Sequence, residues 1–173
     1  ADWKAKWIGA PDAKVTEGVV DAGKNVPKVN SAPKPNSTVV VRREFTVKPG
    51  LRRALVNVCG LGEYEMTLNA AKVGDDLFPS GWTQYKKTCL YDTYDITAML
   101  RTGTNDLAML LGNGRYNVMG GAGRYCQARG SFGPLKAIAQ VRLEYADGTT
   151  EIIGTDESWQ VSGGPITFSC TYG

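Results

Sequence analysis

The glycine-richest stretch of the chain is also where its side chains crowd together. Seven glycines lie between Gly112 and Pro134, and Arg115, Tyr116, Arg124, Tyr125 and Arg129 stand among them. Cations set among glycines are what a phosphate cradle uses. The spacing rules one out. Gly112-x-Gly114 is followed by Asn117 where a third glycine is required, Gly121-x-Gly123 is followed by Cys126, and no G-K-[ST] occurs. A long exposed loop with aromatics and arginines suits instead a sugar site or a contact with another domain. Trp3 and Trp7, four apart ahead of Ile8-Gly9, are a second aromatic set. They read as anchors tethering the N-terminal segment, or as a platform on which a pyranose ring stacks.

Composition removes several chemistries. There is no histidine, so the chain cannot itself complete a Ser-His-Asp triad, a Cys-His dyad or an HExxH zinc site. Cys59, Cys89, Cys126 and Cys170 form no C-x-x-C pair, which argues against a zinc ribbon or a thioredoxin-type site. Cys59 and Cys89 lie in apolar, strand-like contexts and read as buried thiols. A Cys126–Cys170 disulfide is open in an oxidising compartment. The net charge is +3, from 20 basic and 17 acidic side chains. The basic excess is scattered through loop-like N-terminal sequence rather than interleaved with aromatics on one surface, so nucleic acid is not an expected partner. No apolar run approaches the roughly 20 residues a membrane-spanning helix needs, and no membrane insertion is expected. Asn36-Ser37-Thr38 matches the N-glycosylation triplet, which matters only on a eukaryotic secretory route.

The elements that must position these residues are strands. Val39 to Val47 places Val39, Val41, Phe45 and Val47 on one face; Arg53 to Cys59 points Ala54, Val56 and Val58 inward. The Pro49-Gly50 turn between them predicts an antiparallel pair. Glu63 to Asn69 alternates, with Tyr64, Met66 and Leu68 inward, and Asn69-Ala-Ala-Lys72 turns the chain. Asp75-Asp76 then lie on a loop. Tyr85, Cys89 and Tyr91 read as a further alternating face. Asp95 and Thr97 can cap a helical turn from Ile96 to Leu100, and Gly103 stands where a left-handed residue would end it. Leu107 to Leu111 is an unbroken apolar run, expected to be a strand covered on both faces. Leu135 to Tyr145, the Asp147-Gly148 turn and Glu151 to Gly154 read as a hairpin, and Trp159 as a plug at the end of a sandwich. About eight short strands without an amphipathic helix predict an all-β fold, an antiparallel β-sandwich of jelly-roll, galactose-binding-like type. One domain, residues 1–173, is expected, with 10–38 as a loop insertion. The C-terminal sequence has no natural stop and reads as a cut from a longer protein.

Taken in order, the motifs carry a resemblance. They are Trp3-x-x-x-Trp7-Ile8-Gly9; Val41-Arg42-Arg43-Glu44-Phe45; Gly60-Leu-Gly62-x-Tyr64-Glu65-x-x-Leu68-Asn69-x-x-x-Val73-Gly74-Asp75; and Pro79-x-Gly81-Trp82-Thr83-x-Tyr85. Tyr91-x-x-Tyr94-Asp95-Ile96-Thr97, Gly103-x-Asn105, Leu111-Gly112-x-Gly114, Thr155-Asp156-x-Ser158-Trp159 and Gly164-Pro165-Ile166 follow. Together they resemble the N-terminal β-sandwich domain of bacterial α-L-rhamnosidases of glycoside hydrolase family 78. Ala70 stands where that family usually has glycine, and Arg115 where it tends to place an aromatic.

The resemblance implies a non-catalytic accessory domain that serves as scaffold and in substrate recognition. Inverting hydrolysis of terminal α-L-rhamnosides would then reside in a separate helical barrel of the parent enzyme. Glu63 and Glu65 straddle Tyr64 on one strand face, but Glu65 sits where the family has a structural residue, so no catalytic residue is expected here. Implied partners are L-rhamnose-containing glycans and the remaining domains of the parent; the implied location is periplasmic or secreted. Some related jelly rolls bind rhamnose through calcium, and here Asp75 and Asp76 beside Trp82 are the implied ligands and stacking residue. Arg115 and Tyr116 complete the candidate carbohydrate-binding set. No cofactor is required, and calcium is the ion such a site would take. Two alternatives are an autonomous calcium-dependent rhamnose-binding module and the sugar-binding jelly roll of a β-galactosidase-type enzyme. The latter shares Asp95-Ile-Thr97 and Gly103-x-Asn105 but lacks the Gly81-Trp82-Thr83 block.

Overall fold

The computed structural model describes residues 2–10, 28–29, 36–77, 79–118 and 130–169. Among the described residues, thirteen strands and one 3-10 turn run in the order β1 (Ile8–Gly9), β2 (Lys28–Val29), β3 (Val39–Val47), β4 (Leu51–Leu61), β5 (Glu63–Leu68), β6 (Ala71–Lys72) and β7 (Asp92–Asp95). The turn Thr97–Met99 comes next, then β8 (Gly103–Gly112), β9 (Asn117–Val118), β10 (Gly130–Ser131), β11 (Lys136–Tyr145), β12 (Thr150–Gly154) and β13 (Gln160–Gly163). One large sheet has the order β1-β11-β4-β7, with β12 also on β11; a second has the order β2-β13-β3-β8-β5-β6; β9 and β10 form a separate two-stranded sheet. All pairings are antiparallel except β13 with β2. The result is the expected β-sandwich.

Period-two alternation sorts the side chains. Val39, Val41, Phe45 and Val47 of β3 meet Ala54, Val56 and Val58 of β4 in one core, with Tyr64, Met66, Leu68, Leu107, Met109, Leu111, Val141 and Leu143. Trp159 is fully buried, and its indole N–H donates to the Gly154 carbonyl at 3.1 Å. Its burial is as expected.

Several expectations are corrected. β3 and β4 do not pair. β3 lies against β8 and β13 while β4 lies against β11 and β7, so Pro49-Gly50 carries the chain from one sheet to the other. Both strands point valines into the same core, which a sequence pattern cannot distinguish from a hairpin. β8 is not covered on both faces: Leu107, Met109 and Leu111 are buried, while Ala108 and Leu110 are only partly so. Residues 82–91 form no strand, and Cys89 is exposed, whereas Cys59 is buried on β4. Burial pushes the Cys59 thiol up to about 12.

At the N-terminus Ile8 is the buried anchor. Trp3 packs edge-on against Tyr91 at 5.6 Å, but Trp7 is exposed. Within 10–38, β2 is a strand, and Ser37 and Thr38 are buried. The side-chain oxygen of Asn36 is buried without a hydrogen-bond partner, so the glycosylation triplet is folded into the structure. The turn after β7 is shorter than expected. Asp95 Oδ1 accepts both the Thr97 N–H at 2.9 Å and the Thr97 hydroxyl at 2.6 Å. Thr97 does not cap the turn; its hydroxyl accepts the Ala54 N–H of β4 at 2.8 Å. Cys126, Cys170, Arg124, Tyr125 and Arg129 lie outside the described residues. Among the described residues no helix is long and apolar enough to cross a membrane.

Candidate functional site

Trp82 and Arg115 come together from two loops. Ser80 (φ 68°) and Gly81 (φ 52°) are successive left-handed residues, and they set the chain direction into Trp82. A non-glycine residue there costs about 1 kcal/mol, so Ser80 must be held from outside. Gly114 (φ 47°) precedes Arg115, and a Cβ on it would sit 2.9 Å from Glu63 Cγ. That close approach fixes the start of the second loop on β5. The Arg115 guanidinium carbon lies 4.2 Å from the Trp82 ring centroid, a cation–π distance. Trp82 is 67% exposed. One face of the indole is therefore covered by the cation, and the opposite face is open to a ligand.

Tyr116 turns the other way. It is 3% exposed and packs edge-on against Tyr85 at 5.1 Å and beside Phe132 at 6.1 Å. Its hydroxyl donates to the Phe132 carbonyl at 3.3 Å, and burial pushes its phenol up to about 12. Tyr116 thus supports the loop from beneath, while Arg115 reaches the surface.

Asp75 and Asp76 are exposed on the loop that follows β6. The Asp76 carboxylate accepts the Tyr94 hydroxyl at 3.1 Å, and its main-chain carbonyl accepts the Lys72 ammonium at 3.0 Å. Calcium takes six to eight oxygens. Among the described residues no group of three or more His, Cys, Asp or Glu side chains gathers that could hold a metal. The pair as placed supplies too few oxygens for a calcium shell, and an ammonium occupies one of them.

Four residues that sequence reasoning passed over organise this loop. Asp92 Oδ2 accepts the Ser80 hydroxyl at 2.6 Å and the Tyr64 hydroxyl at 2.7 Å. Tyr94 lies two residues on, and its ring meets Gly74, where a Cβ would stand 2.5 Å from Tyr94 Cε1. Asp92 and Tyr94 pair with Val58 and Val56, so they share the core-facing side of edge strand β7. The only signal available in sequence was this i, i+2 spacing of a carboxylate and a phenol on one strand.

Of the two strand glutamates, Glu65 is exposed and lies 3.7 Å from the Lys72 ammonium. Glu63 is partly buried, which raises its carboxyl above the ordinary value. A separate cleft of ≈ 440 Å³, lined by Arg42, Arg43, Glu44, Ser158 and Gln160, shares no residue with this site. Both its arginines are already in ion pairs, Arg42 with Asp106 at 2.7 Å and Arg43 with Asp156 at 3.4 Å.

Residues 50–173 match the family model described as the α-L-rhamnosidase N-terminal domain. The chain belongs to this family. An α-L-rhamnosidase of Formosa agariphila is 37% identical over 134 residues, covering 76% of this chain and 14% of the relative. One from Alteromonas sp. is 30% identical, covering 99% of this chain and 17% of the relative. Among solved structures, the α-L-rhamnosidase from Dictyoglumus thermophilum superposes with a TM-score of 0.75 at 33% identity, over 99% of this chain and 18% of that one. The Streptomyces avermitilis α-L-rhamnosidase complexed with L-rhamnose gives 0.68 at 35% identity, over 80% and 13%. This rhamnosidase N-terminal domain thus spans less than a fifth of each of these relatives.

Proposed function

We propose that this domain is a non-catalytic part of an α-L-rhamnosidase and recognises carbohydrate through the open face of Trp82, with Arg115 as the adjacent donor. The observation that carries the reading is the Trp82–Arg115 pair, an exposed indole with its cationic partner 4.2 Å away. An exposed aromatic face stacks on a sugar ring, and a guanidinium donates to its hydroxyls. Glu65, the one strand carboxylate that spacing could set against Glu63, is exposed and paired with Lys72. On this reading catalysis belongs to a domain outside this chain. The far greater length of the relatives supports the same division of labour, with the remaining domains of the parent as partners.

The test is calorimetric titration of the protein with L-rhamnose, in calcium and then in chelator. Saturable binding that Trp82→Ala weakens at least tenfold is the expected result. Binding that survives chelation would leave Asp75 and Asp76 without a metal role, whereas its loss would assign them one. No heat at millimolar sugar would sink the recognition role and leave a scaffold.

A further inference from the structure

We propose that Asp92 is a positioning residue: by accepting the Ser80 hydroxyl it sets where the left-handed Ser80-Gly81 turn delivers Trp82, while Tyr94 holds the upstream half of the same loop through Asp76.

The proton pattern makes this a pair of separate clamps. Ser80 Oγ and Tyr64 Oη both donate to Asp92 Oδ2, at 2.6 and 2.7 Å. Tyr94 donates its proton to Asp76 Oδ2 at 3.1 Å. With both phenolic protons spent, the Tyr64 and Tyr94 oxygens, 3.5 Å apart, are in contact without sharing a hydrogen bond. Tyr64 anchors Asp92 to the opposing sheet, because Tyr64 lies on β5 and Asp92 on β7. The loop is thereby referenced to both sheets. Its first residue, Gly74, lies flush on the Tyr94 ring. Its next fixed point is Asp76, held by Tyr94 and by Lys72. Its last is Ser80, immediately before Gly81 and Trp82. A serine in a left-handed conformation stays there when its hydroxyl is bonded to a fixed acceptor, and charge-assisted bonds to a carboxylate are the strong ones. Released, Ser80 relaxes toward negative φ, and the backbone leading into Trp82 swings with it.

Hydrogen–deuterium exchange read by mass spectrometry tests this without reference to any sugar. Ser80→Ala leaves the Tyr64–Asp92 bond intact and is expected to speed exchange about tenfold in peptides spanning Ser80 to Tyr85, with β8 and β11 peptides unchanged. Tyr94→Phe is expected to do the same for Gly74 to Leu77. Ser80→Gly removes the hydroxyl but tolerates the left-handed turn, and it should also exchange faster. Wild-type exchange in Ser80→Gly or Ser80→Ala would overturn the proposal. So would loosening of β8 and β11 alongside the loop in Ser80→Ala, since Asp92 would then be an ordinary stability contact.

A second readout rests on the carbohydrate-binding reading above. Where the wild type binds L-rhamnose, Asp92→Asn and Ser80→Ala should raise Kd about tenfold, Ser80→Ala at unchanged melting temperature; unchanged Kd in both would overturn the proposal. Absent wild-type binding would sink the recognition role alone, and the exchange result would decide the role of Asp92.

Discussion

The Asn69 side-chain amide donates to the Asn105 side-chain oxygen at 2.9 Å, joining the β5–β6 turn to the start of β8. The pair is reciprocal with the backbone around it. Asn69 Oδ1 accepts the Asp106 N–H at 3.1 Å, and Asn69 donates also to the Met99 carbonyl. Asn105 donates to the Arg101 and Gly103 carbonyls and accepts the Arg101 N–H. Asn105 is fully buried, so each lost partner leaves a group that water cannot reach. Asn105→Ala is expected to cost about 3 kcal/mol. Asn105→Asp keeps the shape but replaces two donors with acceptors facing carbonyls, and should cost at least as much. Urea unfolding of both variants checks the prediction; losses below about 1 kcal/mol would refute it.

Ala70 points to a change in the opposite direction. Asn69 (φ 52°) and Ala70 (φ 66°) are the two central residues of a hairpin turn between Leu68 and Ala71. Both torsions are positive, as in a type I′ turn, which favours asparagine followed by glycine. Ala70 therefore sits in a conformation that L side chains resist. Ala70→Gly should stabilise the fold by about 0.5–1 kcal/mol, seen as a higher urea midpoint at unchanged slope. An unchanged or lower midpoint would mean the turn is not strained.

Acid sensitivity follows from two turn aspartates. The Thr97 hydroxyl and N–H hold the Asp95 carboxyl below its ordinary 3.8, and the Thr149 hydroxyl and N–H do the same for Asp147. A carboxyl depressed in the folded state adds stability that is fully present above the unfolded value and is lost as pH falls through the folded one. The window therefore lies below about pH 4. Asp95→Asn and Asp147→Asn should each flatten the fall in unfolding free energy between pH 4 and pH 2, by a small amount because both groups are exposed. Unfolding curves across that range that fall as steeply as the wild type would contradict the prediction.

The sequence alone revealed the long strands but, apart from the β11–β12 hairpin, not their neighbours. Alternation in Glu63 to Leu68 and Lys136 to Tyr145 assigned the buried faces because a half-buried strand imposes period two on its residues. Glycines at 103 and 148 marked turns that do require positive φ. Pro49-Gly50 misled, since a crossing between sheets and a hairpin place the same valines inward. Tyr85, Cys89 and Tyr91 misled because aromatic spacing imitates a strand in a coil whose rings pack on Tyr116, Phe132 and Trp3. In the candidate site, the sequence named Trp82 and Arg115 among its candidates without setting them side by side; their 4.2 Å approach is a product of the fold. The clamp made by Asp92, Tyr64 and Tyr94 depends on two sheets meeting, and adjacency of that kind leaves no periodic trace in the chain.

The crossing at Pro49-Gly50 also dictates the order of assembly. β4 bonds along its length to β11, and all of β5 to β10 lies between them in the chain. A nascent chain that has delivered β3 and β4 therefore holds two valine-rich strands with open hydrogen-bonding edges and no partner yet made. Closing so long a loop is slow, and until it closes the edge of β4 that meets β11 can pair with a neighbouring chain. Truncations that end before Tyr145 should accordingly aggregate rather than fold partway, and productive folding should wait on the arrival of β11.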